Sequence, residues 1–282
     1  MTGFRIAFCS SLLVAASAMS PSCAGQSPIR IQYELKDSTL TLGEPVILVF
    51  SVRNDSDRAK SIDLGVDKTQ FLAFSVTTPD GQVLRGGPPL PEGLHTLGTM
   101  TIAAGGTYKQ ELLLNQWFEF KSPGRYFLEA KLNAPGFPPS EALPAQGRWT
   151  QLEIKARDIN RLTKVCAELA ARTEEARSVT DAQDPALALS YVRDPVAVPY
   201  LARVLSSHAL SYQLAVAGLE RIGNDAAIET LLSELNDKYG DIGDLARRAL
   251  ERMEDHISSP NLRETVQREL ASKPGLDHNA RF

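Results

Sequence analysis

The hydrophobic period of this chain changes once, near Arg157, and that change limits the folds open to it more than any other feature. Ahead of it, apolar residues recur at every second position: Ile31, Tyr33 and Leu35 alternate with Gln32, Glu34 and Lys36. Alternation of this kind buries one face of a strand. The run at 46–52 is apolar on both faces and rich in β-branched residues, which predicts an interior strand. The runs at 71–77 and 108–114, the alternation at 126–132 and the pair Leu152 and Ile154 add further strands. Turn formers separate them at 54–57, 79–81, 104–106 and 122–124. About seven short strands within residues 28–157 predict an antiparallel β-sandwich.

Beyond Arg157 the period lies between three and four. Leu162, Val165 and Leu169 predict a first helix, with Cys166 beside its apolar stripe. Val198, Leu201 and Leu205 each stand 30 residues before Ile228, Leu231 and Leu235. Ala215, Leu219 and Ile222 each stand 31 before Ala246, Leu250 and Met253, so one residue is added in the intervening turn. Leu189 and Val192 precede Leu219 and Ile222 by 30, so a weaker copy ends near Arg193. Two helices in about 30 residues bury their apolar faces only by stacking on neighbouring units, which predicts an α-solenoid over residues 158–271. Local signals agree. Asp194 before Pro195 is an N-cap followed by proline at the first helical position, Gly223 supplies a left-handed helix end, and Ala215, Ala217 and Gly218 allow close helix approach. Residues 260–271 predict a terminal capping helix, and 272–282 a disordered tail.

The stretches LGEPVILVFSVRNDSD and SPGRYFLEAKL resemble the immunoglobulin-like domains common in exported bacterial proteins. A strand, an asparagine turn and a hydrophobic strand also resemble the sandwich of BsuPI-type proteinase inhibitors. The stretches DPVAVPYLARVL, AVAGLERIG and NDAAIETLLSEL resemble the short HEAT repeats called PBS-lyase-type, over residues 184–255. The two resemblances together imply a two-domain β plus α chain: an immunoglobulin-like β-sandwich followed by a short solenoid of HEAT-like helix pairs. HEAT units act mostly as binding scaffolds, so the resemblance implies a protein partner rather than a reaction.

The N-terminus carries Arg5, then a run to Met19 without charge, then Pro21-Ser22-Cys23-Ala24-Gly25. This is the pattern of a signal peptide at 1–24, and the run is shorter than the roughly 20 residues of a membrane span. An exported protein, periplasmic or at the cell surface, is expected; lipidation at Cys23 is the alternative. Cleavage after Ala24 would leave Cys166 alone, and stability would rest on packing rather than a disulfide. Residues 25–157 hold 14 acidic and 14 basic side chains and residues 158–282 hold 20 and 15, so neither half predicts a phosphate-binding surface for nucleic acid.

Chemistry is not spelled out. His95, His208, His256 and His278 lack zinc-site spacing, and no HExxH, GxSxG, SxxK or phosphate-binding glycine loop occurs. Asp55, Asp57, Asp63 and Asp67 do not follow the spacing of a calcium loop. No catalytic, cofactor-binding or metal-binding residue is therefore assigned. The expected function is an exported, non-enzymatic interaction module. Its contact surface is expected on the second helices of the repeat, at Arg193, Glu220, Arg221, Arg247, Arg248 and Glu251. Two alternatives stand beside it: a proteinase inhibitor acting through residues 86–95, and an enzyme whose site assembles only in the fold. Trp117, Phe118 and Phe120 are expected to plug an open end of the sandwich rather than to form a ligand platform.

Overall fold

Among the described residues, eleven short strands lie before the change of period near Arg157 and seven α-helices after it. The computed structural model describes residues 29–65, 69–86, 98–132, 142–144, 149–207, 211–235 and 241–272. The expected signal segment, the tail after Ser272, residues 87–95 of the segment expected to act in an inhibitor, and His95, His208, His278 and Asp67 lie outside them.

The strands are β1 (Ile29–Leu35), β2 (Thr39–Thr41), β3 (Ile47–Asn54), β4 (Lys60–Asp63), β5 (Leu72–Thr77), β6 (Val83–Gly86), β7 (Thr99–Ile102), β8 (Thr107–Leu113), β9 (Gly124–Leu132), β10 (Ala142–Pro144) and β11 (Thr150–Lys155). They form a four-stranded sheet in the order β10-β1-β3-β8, a five-stranded sheet in the order β2-β11-β9-β5-β6, and the ribbon β4-β7. Strand β3, apolar on both faces in sequence, runs inside its sheet with β1 and β8 antiparallel on either side. Residues 142–144 form β10, which runs parallel to β1. The edge of a sheet is where a proline such as Pro144 is tolerated, because no ladder N–H is needed on the open side.

Inward side chains of the two larger sheets share one apolar core, with Tyr33, Leu48 and Phe50 from one and Leu72, Leu128 and Leu152 from the other. The Ala130 N–H donates to the Tyr33 hydroxyl at 3.1 Å, bonding one sheet to the other, and burial raises the pKa of that phenol. Asn54, fully buried, donates to the carbonyls of Ile102 and Arg58 and so ties the β4-β7 ribbon to the end of β3.

The helices are α1 (Ile159–Glu175), α2 (Val179–Ser190), α3 (Val198–Ser206), α4 (Tyr212–Ile222), α5 (Asp225–Glu234), α6 (Asp241–Met253) and α7 (Pro260–Ser272). Asp158, Ser178 and Asn224 cap α1, α2 and α5 with side-chain oxygens. Within DPVAVPYLARVL the chain makes a 3-10 turn at Pro195–Ala197, capped by the Asp194 carboxylate, before α3 begins. The second proline explains the break. Pro199 has no N–H to give, and its ring would meet the carbonyl of Pro195 in a continuous α-helix. Gly223 ends α4 at φ 64° and donates to the Leu219 carbonyl.

Each helix touches the next pair. The first helices α1, α3 and α5 contact one another in a row, the second helices α2, α4 and α6 form another, and α7 lies against α5 and α6. Packing is tight at Gly218 of α4, where an added Cβ would lie 2.9 Å from the Ser190 Cα of α2 in its own row and 2.9 Å from a Leu201 methyl of α3 in the other. The helical core also takes in Leu113 of β8, with Ile47 of β3 packed against it. The chain is thus a mixed β and α fold whose two cores touch.

At that contact Asp184 of α2 approaches Glu111 of β8, itself held by Lys36 at 2.8 Å. Although the residue as a whole stays exposed, burial of its carboxyl and then the charge of Glu111 raise the Asp184 pKa, against the pull of Arg172 and Lys36. A carboxyl raised in the folded state penalises folding whenever it is ionised, above its folded pKa, and the penalty disappears as pH falls and it protonates. Asp184→Asn is expected to raise Tm at pH 7, with the gain vanishing below about pH 4, where the carboxyl is protonated folded or unfolded. Thermal melts at both pH values check this; an unchanged Tm at pH 7 rules the repulsion out.

Candidate functional site

The repeat offset seen in sequence returns as a ladder of side-chain contacts between successive helix pairs. Arg203 of α3 bonds Glu174 of α1, 29 residues back; Arg221 of α4 bonds the Ser190 carbonyl and hydroxyl of α2, 31 back; Arg252 of α6 bonds Glu220 of α4, 32 back. A long side chain near each helix end reaches a residue next to the equivalent position of the preceding unit. Arg221 also stacks over the Tyr191 ring, 4.1 Å from its centroid. The Arg252–Glu220 pair is two-pronged, with both bonds at 2.7 Å, the geometry in which a guanidinium matches a carboxylate best.

The six residues expected at a contact surface divide by what they touch. Glu220 and Arg221 belong to this ladder. Arg247, with only 13 % of its side chain exposed, donates to the Leu270 carbonyl near the end of α7 and lies 3.5 Å from Glu251. Arg193 reaches out of the helical part to Glu119 in the β part, at 2.7 Å. Arg248 stays exposed, its guanidinium bonded to the Asp244 carbonyl one turn earlier, and Glu251 keeps half of its side chain exposed. Arg248 and Glu251, on α6, are therefore the pair among the six that faces outward most freely.

Sequence reasoning missed a second set, the ionic joint between the β and helical parts. Glu44, with 6 % of its side chain exposed, accepts from the Thr41 N–H at 2.7 Å and from Arg161 of α1 at 2.8 Å. Arg157 grips Asp194 with two bonds, one at 2.9 Å, and the Asp158 N–H donates to the Thr41 hydroxyl at 2.8 Å. Arg157 holds the Asp194 carboxyl below the usual carboxylate range, chiefly through its hydrogen bonds, with the Val196 N–H adding to the effect. A cavity of about 300 Å³ lies in this joint, with Glu119, Arg157, Tyr191, Arg193 and Asp194 in its walls. Its cations are already paired to carboxylates, so it offers no free charge to a ligand. No local pattern betrayed this joint, since its partners lie 37 to 117 residues apart.

Cys166 is buried in the helical core, and burial pushes its thiol up to about 12, so it stays protonated and unreactive. Among the described residues no three His, Cys, Asp or Glu side chains gather as metal ligands. Among the same residues, no helix is long and apolar enough to cross a membrane.

No family model matches the chain, and no curated protein matches it. Solved structures align with about half of it at low similarity. The sporulation control protein Spo0M of Bacillus subtilis shares 12% identity over 51% of this chain and 56% of its own, with a TM-score of 0.29. The alkylpurine DNA glycosylase AlkC of Pseudomonas fluorescens shares 12% over 47% of this chain and 32% of its own, at 0.26. A Listeria innocua β-glucosidase shares 14% over 46% of this chain and 16% of its own, at 0.27. The chain thus spans less than two thirds of each of these proteins.

Proposed function

We propose that this is an exported, non-enzymatic protein-interaction module, an immunoglobulin-like β-sandwich followed by a short HEAT-like solenoid that presents its second-helix row to a protein partner. The observation that carries the reading is the cross-unit ladder. Arg221 on Ser190 and Arg252 on Glu220 join α2, α4 and α6 along the second-helix row, which supports that row as the surface a stacked scaffold presents. The β part supports its half of the proposal through Tyr126, at the start of β9, whose hydroxyl donates to the Ser122 carbonyl at 2.7 Å. A tyrosine bonding back to a backbone carbonyl four residues upstream is the corner found in immunoglobulin-like sandwiches.

The test uses the mature chain as bait on a native envelope fraction, followed by titration of the purified partner. Arg248→Glu together with Glu251→Arg is expected to weaken binding about tenfold or more, as charge reversals in a contact surface do. A Lys60→Glu variant, at the far β4-β7 ribbon, is expected to bind as the parent does. Equal binding by all three proteins would overturn the placement on α6, and inhibition of a protease by the parent would favour the inhibitor reading instead.

A further inference from the structure

The segment 117–122 separates the joint cavity from a larger one of about 790 Å³ at the end of the five-stranded sheet. That volume is within the range of small-molecule sites. We propose that this second cavity binds a neutral saccharide.

The aromatic cluster expected to be a plug divides in two here. Phe118 and Phe120 are buried in the β core, and Phe120 packs edge-on to Tyr126. Trp117 is only partly buried and, set edge-on to Phe74, lines the cavity beside Leu84 and Pro79. With Phe118 and Tyr126, which also line the cavity, these three make an apolar wall. The Trp117 Nε1–H is closed off from solvent and has no acceptor among the described residues, an unmet buried donor of the kind that native structures keep rare and that calls for a reason.

The rim selects the ligand's charge. Arg85 and Lys121 stand on it with Asp80 and Glu119, two charges of each sign, and Glu119 is already bonded by both Lys121 and Arg193. There is no surplus of positive charge for a phosphate or sulfate and none of negative charge for a cation. What remains planar and able to form paired hydrogen bonds is the Gln82 amide and the Arg85 guanidinium, because the Asp80 carboxylate already accepts from the Thr78 hydroxyl. Neighbouring hydroxyls match such groups, and the C–H face of a pyranose matches an indole wall. A neutral sugar ring carries both features on one small molecule.

The test is titration of the mature protein with neutral di- and trisaccharides, read by tryptophan emission. The chain has two tryptophans, and Trp149 is 41 % exposed, so a Trp149→Phe background leaves Trp117 as the reporter. A neutral saccharide is expected to change Trp117 emission saturably, and calorimetry is expected to give one site. Gln82→Ala, on an exposed side chain, is expected to weaken binding about tenfold with Tm unchanged. Trp117→Phe provides a second check on the wall while keeping an aromatic ring to pack on Phe74. No response to any neutral sugar at about 10 mM, well above a weak millimolar Kd, overturns the proposal. So does preference for an acidic sugar or a proline-rich peptide, or unchanged affinity in both variants.

Discussion

Gly218→Val is expected to cost about 3 kcal/mol of stability, the upper part of the range for forcing extra atoms into a packed interior. A Cβ at this position would already lie 2.9 Å from the Ser190 Cα, which is backbone and cannot rotate away. The Leu201 methyl on the other side, also at 2.9 Å, belongs to a side chain that is itself fully buried. Relief therefore requires α4 to move off α2, and that displaces the contacts α4 makes with α3, α5 and α6 as well. Valine adds two further methyl groups and a β-branch, so the mild helix-favouring effect of replacing glycine, about 0.5 kcal/mol here, does not compensate. Thermal unfolding should fall by about 6–12 °C for a chain of this size. A variant melting within a degree of the parent would show that α2 and α4 do not approach as described.

The second large effect is expected at Asp194. Its carboxylate accepts two bonds from Arg157, caps the turn at Pro195–Ala197 and is 8 % exposed. Asp194→Ala removes the cap, about 1 kcal/mol, and the charge-assisted pair, about 1–2 kcal/mol after allowance for the partly exposed arginine, so a loss of about 2–3 kcal/mol is expected. Asp194→Asn keeps the cap and should recover the smaller part. The pH dependence has the opposite sign to that of Asp184. Because the folded pKa is depressed, the stabilisation is present above the unfolded value near 4 and is lost as pH falls through the folded pKa. Parent and Asp194→Asn melting curves should therefore converge in acid. Persistence of the full difference at pH 2 would mean that the Arg157 pair is not its source.

Legibility in the sequence followed chain distance. Long strands such as β1, β3 and β9 showed their alternation plainly, whereas β2, β4, β6 and β7 are three or four residues long and too short to display a period. The repeat was readable from Val198 to Met253 because its core positions keep one offset. The earlier copy was seen only at its end, since α2 holds Pro185 in its interior where the later units carry Ala215 and Ala246. Asp194 and Gly223 announced their caps, because capping is a local transaction between neighbours. The candidate surface was less legible. Arg193, Arg221 and Arg247 read as solvent-facing by helical position, yet each reaches a partner at least 20 residues away, which no window on the sequence contains.

Between Lys155 and Ile159 only Ala156, Arg157 and Asp158 connect strand to helix, and all three are bonded across the joint. Such a connection behaves as a caliper rather than a tether. A ligand engaged at the sheet end and a partner engaged on the helix row are held at a set span. For a target whose two epitopes match that span, the second contact forms at high effective concentration and avidity multiplies two weak affinities. For any other target the second contact cannot form, so the two proposed sites, carried on one stiff body, would discriminate by distance as well as by chemistry.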